Sequence, residues 1–364
     1  MIYGIKDIKI LYLSKEINTI NKTSQQNMTS NHLLSHMQEN KGFFQCPACA
    51  GELLIQKDIS CGLCGHHYPI QDGIPLLFLP NSWNGKTDVT EKIKSFYEEN
   101  PFPNYDDVDN ISVLSNKAER GLFAKMLDQQ IPINAKVLEV GCGTGQLSNY
   151  LGISYRTLFG TDLCLNSLRL ANDFKIKNNL NRVGFYQMNL FRPIFKEESF
   201  DLIICNGVLH HTSDPYSGFQ SIARLVKKDG YVLLGLYNKF GRFVTDMRRL
   251  VFLLFKDNFQ FLDPYLRRTD VGDKKKLTWF MDQYKNPHES KHTIGEVLNW
   301  FNATGFEFQS GVPSPSLDLF GPDFRLFEKH ERGSKFSRGL AQLQLIFTGS
   351  REGGFFILIG KKIK

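Results

Sequence analysis

The sequence predicts a doubly wound α/β domain, its mainly parallel sheet preceded by a small cysteine-rich unit and carrying a helical cap insertion. Three observations predict it. Apolar runs near 136–140, 157–161, 183–187, 200–205 and 230–236 alternate with helical stretches near 146–151, 164–177 and 217–227, the pattern of strands joined by crossover helices. The first run opens into a tight loop with glycines at 141, 143 and 145. Residues 43–80 hold two C-x-x-C pairs ahead of all of this.

Taken in order, residues 1–42 are polar and Asn-rich, with a short apolar start at 8–13. They read as a disordered leader, or as an over-long start with Met28 or Met37 as the true beginning. Residues 43–80 then place Cys46-x2-Cys49 eleven residues before Cys61-x2-Cys64. Gly51 and Gly65 relieve tight turns there, and backbone amides can bond the sulfurs. Two such knuckles close a tetrahedral four-thiolate site, which suits a structural Zn2+ and leaves no open coordination position. His66 and His67 follow directly and are expected to be exposed, because four cysteines already fill the site.

Residues 81–116 read as a polar linker, a helix near 89–99 stopped by Pro101, and an aromatic loop at 100–107. Phe102 and Tyr105 in that loop are either lid residues or packing in a domain connector. A helix near 117–130 leads into the sheet. Phe306–Ser310 and Gly353–Lys361 supply two further strands. The cap insertion covers about 239–304. Within it, Phe240–Phe255 has apolar residues at helical spacing, reading as a helix packed on its own protein or lying on a membrane surface. Lys275–Tyr284 and Ile294–Ala303 are two further elements. An insertion there sits beside the carboxyl ends of the strands, where ligands bind in open α/β sheets, so it is expected to select the substrate. Leu319–Phe347 is a second insertion without an assigned role.

The glycine loop asks for a ligand that approaches the backbone closely. A dinucleotide fingerprint needs a third glycine at 146, which is Gln146. Glu139 precedes the loop; its carboxylate would repel a pyrophosphate but attract the ammonium and sulfonium end of S-adenosylmethionine. Asp162 ends the second strand, 21 residues after Gly141, where such a unit places the acid that accepts both ribose hydroxyls. Cys142 is a small residue within the loop, and Leu163 follows the acid, placed to pack on the adenine. His210 and His211 close the fourth-strand motif, and either is a candidate base near the transferred methyl. Tyr237, Asn238 and Arg242 follow the fifth strand and would edge the acceptor pocket. His288, Glu289 and His292 form either a substrate or metal constellation or a loop cluster with ordinary hydrogen bonds.

VLEVGCGTG, GTDL, FDLIICNGVLHHTSDP and YVLLGLYN resemble the successive motifs of class I S-adenosylmethionine-dependent methyltransferases of the ubiquinone-biosynthesis type, well over Lys117–Asn238 and loosely to Lys364. The resemblance implies a seven-stranded Rossmann-like sheet over 117–364 whose last two strands pair antiparallel. It implies S-adenosylmethionine as the cofactor, held by Glu139, Gly141, Cys142, Gly143, Gly145, Asp162 and Leu163. Asn189 stands where the family has an Asp bonding the adenine amino group, and Asn206 and Gly207 would face the methionine end. CPACAGEL and CGLCGHHYPIQDGIPLL resemble the zinc-ribbon family that includes the activator subunit of tRNA and protein methyltransferases.

Composition narrows the classes. The chain has 41% hydrophobic and 22% charged residues, which is ordinary for a globular protein, and no apolar run long enough to span a membrane. No signal-peptide pattern opens it, so a cytoplasmic location is expected. Seven cysteines, four of them in the knuckles, argue against a disulfide framework. Of the net charge of +7, the segment Lys239–Lys276 supplies +5, from ten Lys and Arg against five Asp. The ribbon and this basic segment suggest an RNA acceptor; the aromatic loop and large cap suggest a small metabolite. A third reading is a cofactor-binding partner protein without activity. CNGV after the fourth strand, in place of N/D-P-P-Y/F, argues against adenine-N6 and amide methylation, and Cys205 lacks the context of a nucleophile.

Overall fold

The computed structural model describes residues 35–56, 58–83, 88–102, 105, 108, 110–348 and 354–364. Strands β1 (Leu53–Ile55), β2 (Ile59–Cys61) and β3 (His67–Tyr68) form a small antiparallel sheet, followed by the hairpin of β4 (Ile70–Gln71) and β5 (Ile74–Pro75). Three helices come next: α1 (Thr90–Glu99), α2 (Ile111–Arg120) and α3 (Leu122–Gln130). The single helix expected over 117–130 is therefore two. Gly121 breaks them with an extended ψ of 106°, and Asn110 caps α2 by accepting from the Val113 amide.

The main sheet alternates as expected: β6 (Lys136–Val140), α4 (Gln146–Gly152), β7 (Thr157–Asp162), α5 (Leu165–Lys177), β8 (Val183–Gln187), β9 (Phe200–Asn206), α6 (Pro215–Ala223) and β10 (Val226–Tyr237). After the cap come β11 (Phe306–Val312), α10 (Lys335–Thr348) and β12 (Phe355–Lys362), the cap itself supplying α7 (Phe243–Leu254), α8 (Asp273–Phe280) and α9 (Ile294–Ala303). The strand order is β11-β12-β10-β9-β6-β7-β8, with β12 antiparallel to both neighbours and the other pairs parallel. This is a seven-stranded doubly wound sheet. Its central strands are continuous apolar runs because helices cover both faces: Leu138, Val140, Ile203 and Leu234 on one side, Val137, Leu202, Ile204 and Leu233 on the other. Helix α6 ends at Ala223, earlier than the expected 227, because the Leu225 carbonyl is taken by the amides of Ser199 and Phe200.

The N-terminal unit is fastened to this sheet. Gln45 N–H donates to Ile194 O at 2.8 Å, Lys196 N–H to Phe43 O at 2.8 Å, and Leu77 N–H to Gln187 O at 3.1 Å, with Leu76 bridging Gln187 in parallel. Phe44 packs among Phe159, Tyr186 and Phe195. The leader expected to be disordered through residue 42 is structured at its end: residues 35–39 are helical, Met37 is buried in this core and His36 bonds the Tyr186 hydroxyl at 2.7 Å. An apolar residue beside an aromatic face outweighs a polar local composition. Residues 1–34 of that leader lie outside the described residues.

The cap contributes a small cluster of its own, Phe252 from α7 with Phe280 and Tyr284. Residues Met281–Lys285 continue α8 as a π-helical turn. No helix of the described residues is long and apolar enough to cross a membrane.

Candidate active site

The carboxyl ends of β6, β7 and β9 open into a cavity of about 540 Å³, also lined by α1 and the cap. Glycine builds its floor. Gly141, Gly143 and Gly145 all have positive φ (68°, 53° and 71°), and a Cβ on Gly141 would lie 2.2 Å from Val208 Cγ2. Gly141 and Gly143 line the cavity. Gly145 does not: it abuts Ala171 and Phe185 at 2.7 Å from where its Cβ would be, so it serves the packing of α4 rather than a ligand.

Two acids face this loop. The Asp162 carboxylate accepts from the Gly143 amide and the Cys164 amide, each at 2.8 Å. Burial pushes it up to about 6 against these bonds. Glu139 is buried beside it, accepts from the Ser148 hydroxyl, and is pushed up to about 7, again by burial first. The site thus holds two carboxylates in want of a cation or hydroxyl donors, next to backbone that a Cβ would block. Cys142 and Leu163 also line the cavity, the Cys142 thiol held well above its usual range by burial. Asn206 and Gly207 sit at its mouth.

Asn189 lines the cavity too, and its side chain has partners of its own. Its amide donates to Leu79 O and Asn81 Oδ1, both at 2.8 Å, and its Oδ1 accepts from Phe191 N–H at 3.1 Å. Its amide nitrogen clamps the linker to the sheet, while its Oδ1 can still accept a second hydrogen bond. The aromatic loop divides: Phe102 lines the cavity, whereas Tyr105 stacks on Phe174 at 4.9 Å and accepts from Asn149 as connector packing.

The two histidines also part. His211 lines the cavity, its Nδ1 bonded to the His288 carbonyl at 2.8 Å. A carbonyl can only accept, so Nδ1 carries the proton and Nε2 is the basic nitrogen. Burial lowers its pKa, keeping the ring neutral near pH 7. His210 is fully buried, packed between the rings of His211 and Tyr237, and neither of its ring nitrogens has a partner among the described residues. It does not reach the cavity, and this removes it from the candidate bases.

Tyr237 lines the cavity with the Arg242 guanidinium 3.9 Å from its ring centroid and its hydroxyl accepting from Gln283 at 2.9 Å. Arg242 is buried behind it and forks onto Glu289, with Nε to Oε1 at 3.0 Å and Nη2 to Oε2 at 2.5 Å. Asn238 is buried as a turn cap, accepting from Phe240 and Gly241. His288 and His292 bond Thr212 O and Glu296. Asn238, Arg242, His288, Glu289 and His292 therefore form the scaffold of the wall and not the wall itself.

Residues 138–234 match the family described as methyltransferase domain. The chain carries a class I methyltransferase domain. Ubiquinone biosynthesis O-methyltransferase of Glaesserella parasuis is 32% identical over 130 residues, 34% of this chain and 50% of that protein. An uncharacterized protein of Synechococcus is 24% identical over 230 residues, 56% of this chain and 55% of its own length. The chain spans about half the length of the curated relatives it matches. Among solved structures, PKMT2 from Rickettsia typhi has a TM-score of 0.48 at 14% identity, covering 67% of this chain and 52% of that one.

The methyltransferase domain owes part of its cavity to residues that sequence reasoning missed. Tyr97 of α1 and Trp279, Asp282 and Gln283 of the cap all line it. Asp282 accepts from the Tyr97 hydroxyl and from Gln283, both at 2.8 Å, linking α1, the cap and Tyr237 in one network. Three consecutive residues, Asp282, Gln283 and Tyr284, are all buried there, which the π-helical turn permits. An α-helical reading would send one of them to solvent, so no local signal marked them.

Ahead of the methyltransferase domain, Cys46, Cys49, Cys61 and Cys64 bring their sulfurs within 4.8 Å of one another, the only such ligand cluster among the described residues. Cys46 and Cys64 are 3.8 Å apart and Cys49 and Cys61 3.5 Å. Zinc–sulfur bonds of about 2.3 Å in a tetrahedron give edges of about 3.8 Å, so the cluster fits such an ion. The amides of Leu63 and Cys64 point at Cys61 Sγ and pull its thiol down to about 6, the Cys64 amide contributing most. In the first knuckle the left-handed residue is Ala50 and not Gly51. Gly51 is required for space: its Cβ would lie 2.7 Å from Leu63 Cβ and about 3 Å from two of the sulfurs.

Proposed function

We propose that the chain is an S-adenosylmethionine-dependent methyltransferase acting on a small acceptor, with a structural zinc ion in its N-terminal unit. The observation that carries this reading is Glu139, Gly141, Gly143 and Asp162 meeting around one cavity. The cofactor would supply a methyl group made electrophilic by its sulfonium charge. Asp162 would take the ribose hydroxyls on its remaining lone pairs, and Glu139 the ammonium. Leu163 offers an apolar face for the adenine. His211, neutral and with Nε2 basic, would accept a proton from the acceptor as the methyl arrives. Tyr237, fixed by Gln283 and Arg242, would orient the acceptor against it.

The lining favours a small acceptor over an RNA. Tyr97, Phe102 and Trp279 line the cavity with aromatic side chains, a surface suited to a small apolar or aromatic acceptor. A base beside the cavity suits a hydroxyl acceptor, and the O-methyltransferase relatives support that choice.

Titration calorimetry with S-adenosylmethionine and S-adenosylhomocysteine tests the cofactor half, and tritiated methyl release over phenol, alcohol and RNA panels tests the acceptor half. Micromolar or tighter cofactor binding with methyl release onto a small hydroxyl compound is the expected result. Absence of cofactor binding by the folded chain overturns the reading, and methylation of RNA alone overturns the acceptor class.

A further inference from the structure

The cap has an outer face that its inner role leaves unexplained. Among the described residues, 24 large apolar side chains are exposed, and eleven of them fall within residues 240–277. On α7, Phe243, Met247, Leu250 and Leu254 follow one another at spacings of four, three and four, so they form one stripe, opposite the buried Thr245 and Phe252. Leu253, beside the stripe, is 74% exposed, and Phe261, in the loop that follows, 60%. A single exposed leucine needs no explanation, but a continuous apolar stripe marks a binding face.

Charge selects the partner. The acids of the same segment are largely neutralised: Asp246 pairs with Lys291, Asp257 with Lys285 and Asp270 with Arg268, while Asp263 is buried and bonded to Trp279 and Tyr284. Asp270 and Asp273 are the exposed acids, Asp270 paired with Arg268, against exposed Lys239, Lys256 and Arg267. An apolar stripe on a segment with a net charge of +5 is complementary to an anionic lipid surface, where the side chains enter the acyl boundary and exposed cations meet the headgroups. A nucleic acid would use the cations and leave the stripe exposed to water.

We propose that the outer face of the cap docks the protein reversibly on an anionic lipid bilayer. The inner side of the same cap carries Trp279, Asp282 and Gln283 into the cavity, and α7 packs on that wall through Phe252 against Phe280 and Tyr284. Docking therefore holds the cavity close to the lipid surface.

Flotation of the full chain with vesicles of phosphatidylcholine, with and without phosphatidylglycerol, tests the inference. Binding to the anionic vesicles, weakened by high salt, is expected. Leu250→Glu with Leu254→Glu is expected to lower partitioning by roughly tenfold or more. Lys256→Glu with Arg267→Glu is expected to weaken binding to anionic vesicles while retaining the fold. Calorimetry with S-adenosylhomocysteine on the same variants is expected to be unchanged, so failure of docking and failure of the methyltransferase reading are told apart. No association of the wild-type chain with anionic vesicles at low salt overturns the inference. So does undiminished binding by both folded variants, or a homodimer in sedimentation velocity that the leucine variant dissolves.

Discussion

The Gly143 amide donates to Oδ2 of Asp162 across 2.8 Å, which ties the glycine loop after the first main strand to the acid that ends the second. Asp162 therefore shapes the loop as well as offering oxygens to a ligand. Asp162→Ala removes both, and cofactor affinity is expected to fall roughly ten- to a hundredfold, the scale of a lost charged hydrogen bond or two. Calorimetry with S-adenosylhomocysteine checks it, and circular dichroism should show the sheet intact.

The two buried carboxylates make a pH signature. Glu139 at about 7 and Asp162 at about 6 both hold protons more tightly in the folded chain than unfolded. The free protein should thus lose stability as pH rises from about 4 to 7, where the folded state binds more protons. Binding of a cation asks for the ionised form, so cofactor affinity should rise over pH 6 to 7 and then level. Thermal melts and titrations across that range check both signs, which run opposite to one another.

The adjacent histidines should behave differently. His211→Gln is expected to cut methyl transfer while leaving cofactor affinity in place, and the acid limb of the wild-type rate profile should lie below the ordinary histidine range, since burial lowers this group. His210→Phe keeps the aromatic packing and removes two buried nitrogens without partners among the described residues. It should be neutral or raise stability by about 1 kcal/mol, read from chemical denaturation.

The four thiols are expected to hold one zinc per chain in native mass spectrometry. Cys61→Ser should release it and destabilise the N-terminal unit, since the replaced sulfur is the one that two backbone amides support. Cofactor binding should persist in weakened form, because Asn189 anchors the linker at Leu79 and Asn81 from the methyltransferase side.

The sequence made the strands legible because parallel strands buried on both faces are continuous apolar runs, and β6, β7 and β8 stand within one residue of expectation. The loop was legible because the left-handed backbone at 141 and 143 favours glycine, and a Cβ at 141 would also strike Val208. What escaped depends on the third dimension. Nothing local tells His210 from His211; the difference is that the His288 carbonyl, 77 residues away, meets one ring and not the other. That Asn189 also holds Leu79 and Asn81 could not be read from its own neighbours in sequence. Asp282 and Gln283 needed a π-helical turn, which has no reliable sequence signature.

The pairing of Leu76 and Leu77 with Gln187 has a consequence beyond holding two units together. Strand β8 is the rim of the sheet, and a rim strand with open amides and carbonyls is a template on which another chain can grow. Here the chain itself fills part of that template with the segment that leaves the cysteine unit. A copy in which that segment came away would have an open rim, and its fate would be aggregation before it was loss of catalysis.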